Sequence, residues 1–301
     1  MHRRIEVKTL DPLLRVVCTL TLAWQVFDDA PVAVAANRDE ALDRDSLPPE
    51  IYSEDPLVVA PRDAESGGTW LGYNEFGVAA GITNKWTDAD LAGDRSRGLL
   101  VADVLEARSV SDATAIVEDA TAADEYEGFS LVIADAAAAV CYQWDGDLSV
   151  TEFDPGVHVV VNVAVDDDVD LPSGRPDVGR TQADNAQRVR AELAADADES
   201  VTEWLTRAGT VLGDHEFGVC VHGDGYGTRS SSLVAVGPGA ATPERPAEAT
   251  YRFADGPPCE TPYRPVDLGR GAGEHDGDTE RIATLTAAPA SAFGTTTRRN
   301  D

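Results

Sequence analysis

The segment from Cys18 to Glu40 constrains this chain more than any other. Cys18, Leu20, Leu22 and Trp24 alternate with Thr19, Thr21, Ala23 and Gln25, a period-two pattern that puts the first set on one apolar strand face. Phe27-Asp-Asp-Ala-Pro31 reads as a turn, and residues 32 to 37 return as a second strand that runs into Asn37-Arg-Asp-Glu40. Such a hairpin sets Cys18 beside four charged or amide side chains at the tip of a buried strand. Groups of that kind are costly there unless they are paired.

The rest of the chain alternates strands with helix pairs. Residues 41 to 68, rich in Pro, Asp and Ser, read as loop. Thr69 to Leu71 and Val78 to Thr83 read as a hairpin across Gly72 to Gly77. Residues 97 to 108 and 111 to 122 have helical periodicity, with Ser96 or Asp94 capping the first and Ser111 the second. Strands follow at Phe129 to Ala134, Val140 to Trp144, Leu148 to Phe153 and Val157 to Val163. A charged loop at Arg175 to Arg180 leads to helices at 181 to 195 and 199 to 212. Phe217 to His222, Ser232 to Val236 and Tyr251 to Phe253 complete the strands. Antiparallel blocks broken by two helix pairs imply an α+β fold, two sheet layers with helices outside. One domain is expected over 17 to 270, with 271 to 301 an aperiodic tail.

The formal net charge is -30, from 54 acids and 24 bases, and only Lys8 and Lys85 are lysine. A surface this acidic suits concentrated salt, where screening removes most self-repulsion. We read the chain as a halophile's cytoplasmic protein. The charge opposes nucleic acid and anionic membrane surfaces as partners, and no apolar stretch approaches about 20 residues. Four cysteines without a paired spacing imply reduced thiols. Residues 1 to 16 carry Arg3, Arg4, Lys8 and Arg15 against Glu6 and Asp11, the opposite bias to the whole. Two readings follow: an ordinary extension outside the fold, or a chain whose true start is Val17. Initiation there, followed by methionine removal, leaves Cys18 as the terminal residue.

A terminal cysteine is its own catalytic apparatus. Its α-amine, of intrinsic pKa about 8, takes the thiol proton, and the thiolate attacks a carbonyl. The site then needs a carboxylate to orient the amine and donors for the developing oxyanion. Asp39 is one strand from Cys18. Asn84 ends the strand at Thr83, and Asn162 lies inside Val159-Val-Val-Asn-Val163, where an amide is expensive without partners. Arg229, in Tyr226-Gly-Thr-Arg-Ser-Ser231, precedes a hydrophobic strand and can hold negative charge. Taken singly, a strand cysteine is most often a small core residue, and each of the others has an ordinary structural use.

Together the pieces are specific. Asn37-Arg-Asp-Glu40 after Cys18, then Gly67-Gly-Thr-Trp-Leu-Gly72, Thr83-Asn84, Arg95-Ser-Arg-Gly98, Gly128-Phe-Ser-Leu and Tyr226-Gly-Thr-Arg-Ser-Ser231, resemble in order the NRDE, or Transport and Golgi organization protein, family. That resemblance implies a Met-Cys start and a four-layer αββα sandwich of antiparallel sheets, like that of N-terminal-nucleophile hydrolases. A more distant similarity to the choloylglycine hydrolase and penicillin V acylase group implies a nucleophile at Cys18 and an amine-orienting carboxylate at Asp39. It also implies oxyanion or substrate asparagines at Asn84 and Asn162, and a distal arginine at Arg229. That group has an arginine three residues before its aspartate, where this chain has Ala36. Arg38 precedes Asp39 instead, and strand alternation turns it away from Asp39.

Two functions remain open on these residues. One is a cysteine amidohydrolase that cleaves a C-N amide bond of a small molecule and requires no cofactor. The other is a binding or trafficking module for haem or a lipid-like metabolite, since eukaryotic members of the resembled family are linked to haem mobilisation and membrane traffic. Without CxxCH, any haem would be reversible cargo. Cys220-Val-His222 offers two metal ligands, but nothing near in sequence completes a tetrahedral set, so no metal site is expected. Asp166-Asp-Asp-Val-Asp170 lacks EF-hand spacing. Gly223-Asp-Gly-Tyr-Gly227 has no lysine to make a phosphate loop.

Overall fold

The computed structural model describes residues 18–238 and 247–268. The extension at 1 to 16, the Val17 start and the tail at 271 to 301 lie outside the described residues. The opening hairpin forms as the alternation requires: β1 (Thr19–Trp24) pairs antiparallel with β2 (Val32–Ala41), Thr19 opposite Asn37 and Trp24 opposite Val32. β2 does not stop at Asn37 but carries the whole Asn-Arg-Asp-Glu segment within the ladder.

Among the described residues, fifteen strands make two antiparallel sheets. The first takes β1 and β2 with β10 (Gly156–Val161), β11 (Ala164–Val165) and β12 (Asp168–Val169) on one side. On the other side lie β13 (Tyr226–Val236), β14 (Ala249–Ala254) and β15 (Arg264–Pro265). The second runs in chain order through β3 (Ser46–Glu54), β4 (Leu57–Asp63), β5 (Leu71–Asn74), β6 (Ala79–Asn84), β7 (Phe129–Ala134), β8 (Ala139–Trp144) and β9 (Leu148–Glu152).

Side-chain parity assigns the layers. Leu20, Leu22, Val32 and Val34 from the first sheet pack against Val59, Leu71, Tyr73 and Val132 from the second, forming the central core. The opposite face of the first sheet, including Ala33, Ala35 and Val159, lies under α3 (Pro176–Glu192) and α4 (Val201–Gly213). The outer face of the second sheet, with Val58, Ala60, Leu131 and Ile133, is covered by α1 (Arg97–Val104) and α2 (Val110–Ala123). The result is the expected αββα sandwich; Leu57 to Ala60, buried on both faces, is apolar at both parities, whereas β1 buries Thr19 and Thr21 on its helix side.

Several expectations are corrected. Residues 41 to 68 are not loop but β3 and β4. Pro48 and Pro49 disguise β3, which is an edge strand where missing N–H groups do not break a ladder. Leu57 to Ala60 is buried on both faces and so shows no alternation. The hairpin across Gly72 instead turns after Asn74, whose side-chain oxygen accepts from the N–H groups of Phe76 and Val78 at 3.0 Å. α2 is capped by Ser109, not Ser111, through the N–H of Asp112. The charged stretch at Arg175 to Arg180 is the first turn of α3, opened by Pro176. Phe217 to His222 is no strand: a 3-10 turn, His215–Phe217, is followed by Gly218 at φ 68, a left-handed conformation that breaks extended chain. β13 begins at Tyr226, so Arg229 lies inside a strand rather than before one.

Candidate active site

The fold opens a cavity of about 200 Å³ between the two sheets, at the end where β1 begins. Extending the β1–β2 register by one residue sets Cys18 opposite Arg38, with both side chains on the face turned toward the second sheet. Both line the cavity, together with Glu40, Trp70, Asn84, Arg44, Arg95 and Arg97. Motifs distant in sequence meet there because Gly68 and Gly98 allow backbones to touch. A Cβ on Gly68 would sit 2.3 Å from the Gly98 carbonyl carbon, and Thr69 N–H donates to the Gly98 carbonyl at 2.9 Å.

The Cys18 thiol lies 3.6 Å from the Asp39 carbonyl oxygen. Burial, reinforced by the nearby Asp39 carboxylate, pushes this thiol up to about 12 while Arg38 pulls it back. As an internal residue it is therefore a poor nucleophile at neutral pH. Asp39 points to the helix side of its sheet. Its Oδ1 accepts the Thr228 hydroxyl at 2.5 Å, and Oδ2 is buried with no partner among the described residues. Burial holds the Asp39 carboxyl well above its ordinary range. Its neighbour Asn37, also helix-facing, donates through Nδ2 to the carbonyls of Leu212 and Val219.

Arg38 has a built environment that alternation alone did not reveal. Its guanidinium stacks 4.2 Å from the centre of the Trp70 ring, and Nη2 lies 3.3 Å from Asp63 Oδ2. Asp63 also takes two bonds from Arg44, at 2.7 and 3.2 Å, and one from the Ser66 N–H at 2.8 Å. Burial pushes the Asp63 carboxyl up, but the Arg44 and Ser66 hydrogen bonds outweigh it and hold it at about 2. Arg38 Nη1 remains buried without a partner among the described residues.

The remaining expected residues divide by position. Asn84 is half-buried on the cavity wall. Asn162 is fully buried behind it and is not on the wall. Its Nδ2 donates to the Asn84 carbonyl and its Oδ1 accepts from Gln182, both at 2.7 Å. Arg229 is the extra residue of a bulge between Thr228 and Ser230, and it too lies off the wall. Its Nη2 donates to the Arg44 carbonyl at 3.3 Å. The sequence reading did not single out Arg44 or Asp63, and it carried Trp70, Arg95 and Arg97 only within motifs of the family resemblance, with no role at the site. For Arg38 the available signal was the hairpin register, which puts it on the face of Cys18.

Fold and cavity thus define a two-sheet α+β sandwich with a cysteine where its first strand opens. Residues 17–240 match the family model "Transport and Golgi organisation 2", and the chain belongs to that family. It is 28% identical over 248 residues to the Transport and Golgi organization protein 2 homolog of Bos taurus, covering 70% of this chain and 86% of that one. The Homo sapiens homolog is 28% identical over 155 residues, 46% of this chain and 56% of its own length. Among solved structures the chain is similar to a penicillin V acylase from Agrobacterium tumefaciens, with TM-score 0.47, 14% identity and coverage of 80% and 92%. It is also similar to a Caenorhabditis elegans N-acylethanolamine-hydrolyzing acid amidase ortholog, with TM-score 0.48, 11% identity and coverage of 74% and 94%.

Proposed function

We propose that this protein is a cysteine amidohydrolase in which Cys18, as the terminal residue, attacks the carbonyl carbon of a small-molecule amide. The observation that carries the reading is Asp39 Oδ2, a buried carboxyl oxygen without a partner among the described residues, on the residue whose backbone carbonyl meets the Cys18 thiol. The amine of a terminal Cys18 would lie at the level of Asp39 in the β1–β2 register. An ammonium there would give the carboxylate its missing partner. In its neutral form the same amine accepts the thiol proton, and after attack it returns that proton to the leaving nitrogen. Water then hydrolyses the thioester, releasing the acid.

The neighbouring side chains take distinct parts. Asn84, on the wall, is the donor for the oxyanion. Asn162 is a positioning residue that fixes the backbone of Asn84. Arg38 Nη1, buried and without a partner among the described residues, suits a carbonyl or carboxylate oxygen of the acyl portion. Arg229 acts only through the Arg44 backbone. No cofactor enters this scheme. A haem-like cargo is less favoured by the cavity, whose roughly 200 Å³ falls below the 300–1,000 Å³ usual for cofactor-sized ligands.

The test uses protein expressed from Met-Cys18, with intact mass verifying that Cys18 is terminal. Turnover of a panel of N-acyl amides by this form, its loss in Cys18→Ala and stoichiometric alkylation at Cys18 are the expected results. Equal turnover by Cys18→Ala overturns the reading. A saturable Soret shift on haemin titration of a form with no amidase activity would favour cargo binding instead.

A further inference from the structure

Outside the cavity wall, four side chains with soft or nitrogen donors meet. One ligand atom each from His215, Cys220, His222 and Cys259 lies within 4.8 Å of all the others. The two sulfurs are 3.6 Å apart, and His222 Nε2 is 3.7 Å from the Cys220 sulfur and 3.1 Å from the Cys259 sulfur. Tetrahedral zinc, with bonds of about 2.3 Å to sulfur and about 2.0 Å to nitrogen, spaces two sulfurs about 3.8 Å apart and a sulfur and a nitrogen about 3.5 Å apart. The three distances scatter around those values. We infer that His215, Cys220, His222 and Cys259 form a Cys2His2 site for a structural zinc ion.

The fold supplies what the sequence spacing concealed. His215 opens the 3-10 turn after α4, and Gly218 at φ 68 reverses the chain so that Cys220 and His222 return to it. Cys259 comes from a distant turn in which the N–H groups of Glu260 and Thr261 both donate to the Pro257 carbonyl. That turn presses on the end of α4, where a Cβ on Gly213 would lie 3.1 Å from the Pro258 backbone. Cys220 is buried, whereas His215, His222 and Cys259 reach the surface, so an ion has a path in. Two thiolates and two neutral imidazoles also balance a divalent charge.

The ion would brace the segment that holds Asp39. The Val219 carbonyl accepts from Asn37, and the Val221 N–H donates to Thr228 Oγ1 at 2.9 Å, the same hydroxyl that donates to Asp39. Zinc bound at Cys220 and His222 clamps the residues on either side of Val221. The inference is independent of the role of Cys18, because its readouts are metal content and stability.

The experiment takes the full chain in a Cys18→Ser background, purified under reductant without chelator at high salt, and measures zinc by mass spectrometry. One zinc per chain is expected, with tetrahedral thiolate absorption on replacement by Co2+ and a lower Tm after metal removal. His215→Asn and Cys259→Ser, both at surface positions, should each lose the zinc and remain folded by circular dichroism. A parent chain that takes up no added zinc overturns the inference. So does one that binds it no better than a Cys220→Ser/Cys259→Ser double variant.

Discussion

Thr228 and Asp39 face each other across the β13–β2 ladder, and the threonine hydroxyl donates to the carboxylate at 2.5 Å, its one hydrogen bond from a side chain among the described residues. The other oxygen is buried and unpartnered among the described residues, so the charge on Asp39 is under-compensated unless an ammonium forms at Cys18.

The first prediction concerns pH. With Cys18 internal, burial raises the Asp39 pKa above its ordinary 3.8. A raised carboxyl contributes stability that is fully present below the unfolded value and lost as pH rises through the folded one. The chain that keeps residues 1 to 17 should lose stability above pH of about 4, and Asp39→Asn should remove that slope. In the form beginning at Cys18 the ammonium reverses the sign, so Asp39→Asn should destabilise it at neutral pH and abolish turnover. Urea midpoints against pH for the four proteins decide this; identical slopes in both forms would refute the pairing.

Asp63 predicts the opposite pH behaviour. Its folded value of about 2 lies below its ordinary 3.8, so its contribution is present above pH of about 4 and is lost as pH falls toward 2. Its side chain is 9% exposed and that of Arg38 is 7% exposed, so removing the carboxylate leaves a buried guanidinium with only the more exposed Glu40, at 3.7 Å, as its acidic partner among the described residues. Asp63→Ala should cost about 3–5 kcal/mol by urea denaturation, with the acid limb of the stability curve flattened. A cost under about 1 kcal/mol, as for an exposed ion pair, would mean Arg38 is not held this way.

Asn162 and Asn84 separate positioning from contact. Asn162→Ala removes a buried bond to the Asn84 carbonyl and leaves Gln182 without its acceptor, so it should cost about 1–3 kcal/mol. Asn84→Ala, at a half-buried position on the wall, should be nearly neutral in stability yet lower kcat. Matching stability losses in the two variants would contradict this division.

How much of this was legible in the sequence follows from what each signal measures. Strict alternation at Cys18 to Trp24 gave the strand, its register and its inward face, because β1 follows a simple two-residue period. Leu57 to Ala60 carried no alternation, since Val58 meets the helices and Val59 the central core. The roles of Asp63 and Trp70 were invisible because each depends on a neighbour many residues away. Cys220 and His222 were readable as two ligands, but His215 and Cys259 join them only through the left-handed Gly218 and the turn after Pro257. In the sequence Asn162 reads as an amide that needs partners, and the structure gives it the Asn84 carbonyl and the Gln182 side chain. Its backing of Asn84, rather than the cavity, required the packing of α3.

The helix-facing side of β2 offers a last prediction. Ala33 and Ala35 are fully buried beneath α4, and the same parity continues to Asn37 and Asp39. Small side chains let the helix approach closely enough for Asn37 to reach the Leu212 carbonyl at 3.0 Å. Ala35→Leu should force the layers apart, cost about 1–3 kcal/mol and displace Asn37 and Asp39 from their partners. Val34→Ala, on the other face, should lower stability through a core void while leaving that parity row in place. In the form beginning at Cys18, the thiol alkylation rate should therefore change in Ala35→Leu and not in Val34→Ala. Equal changes in both would mean that general loosening, rather than the α4 contact, controls the thiol.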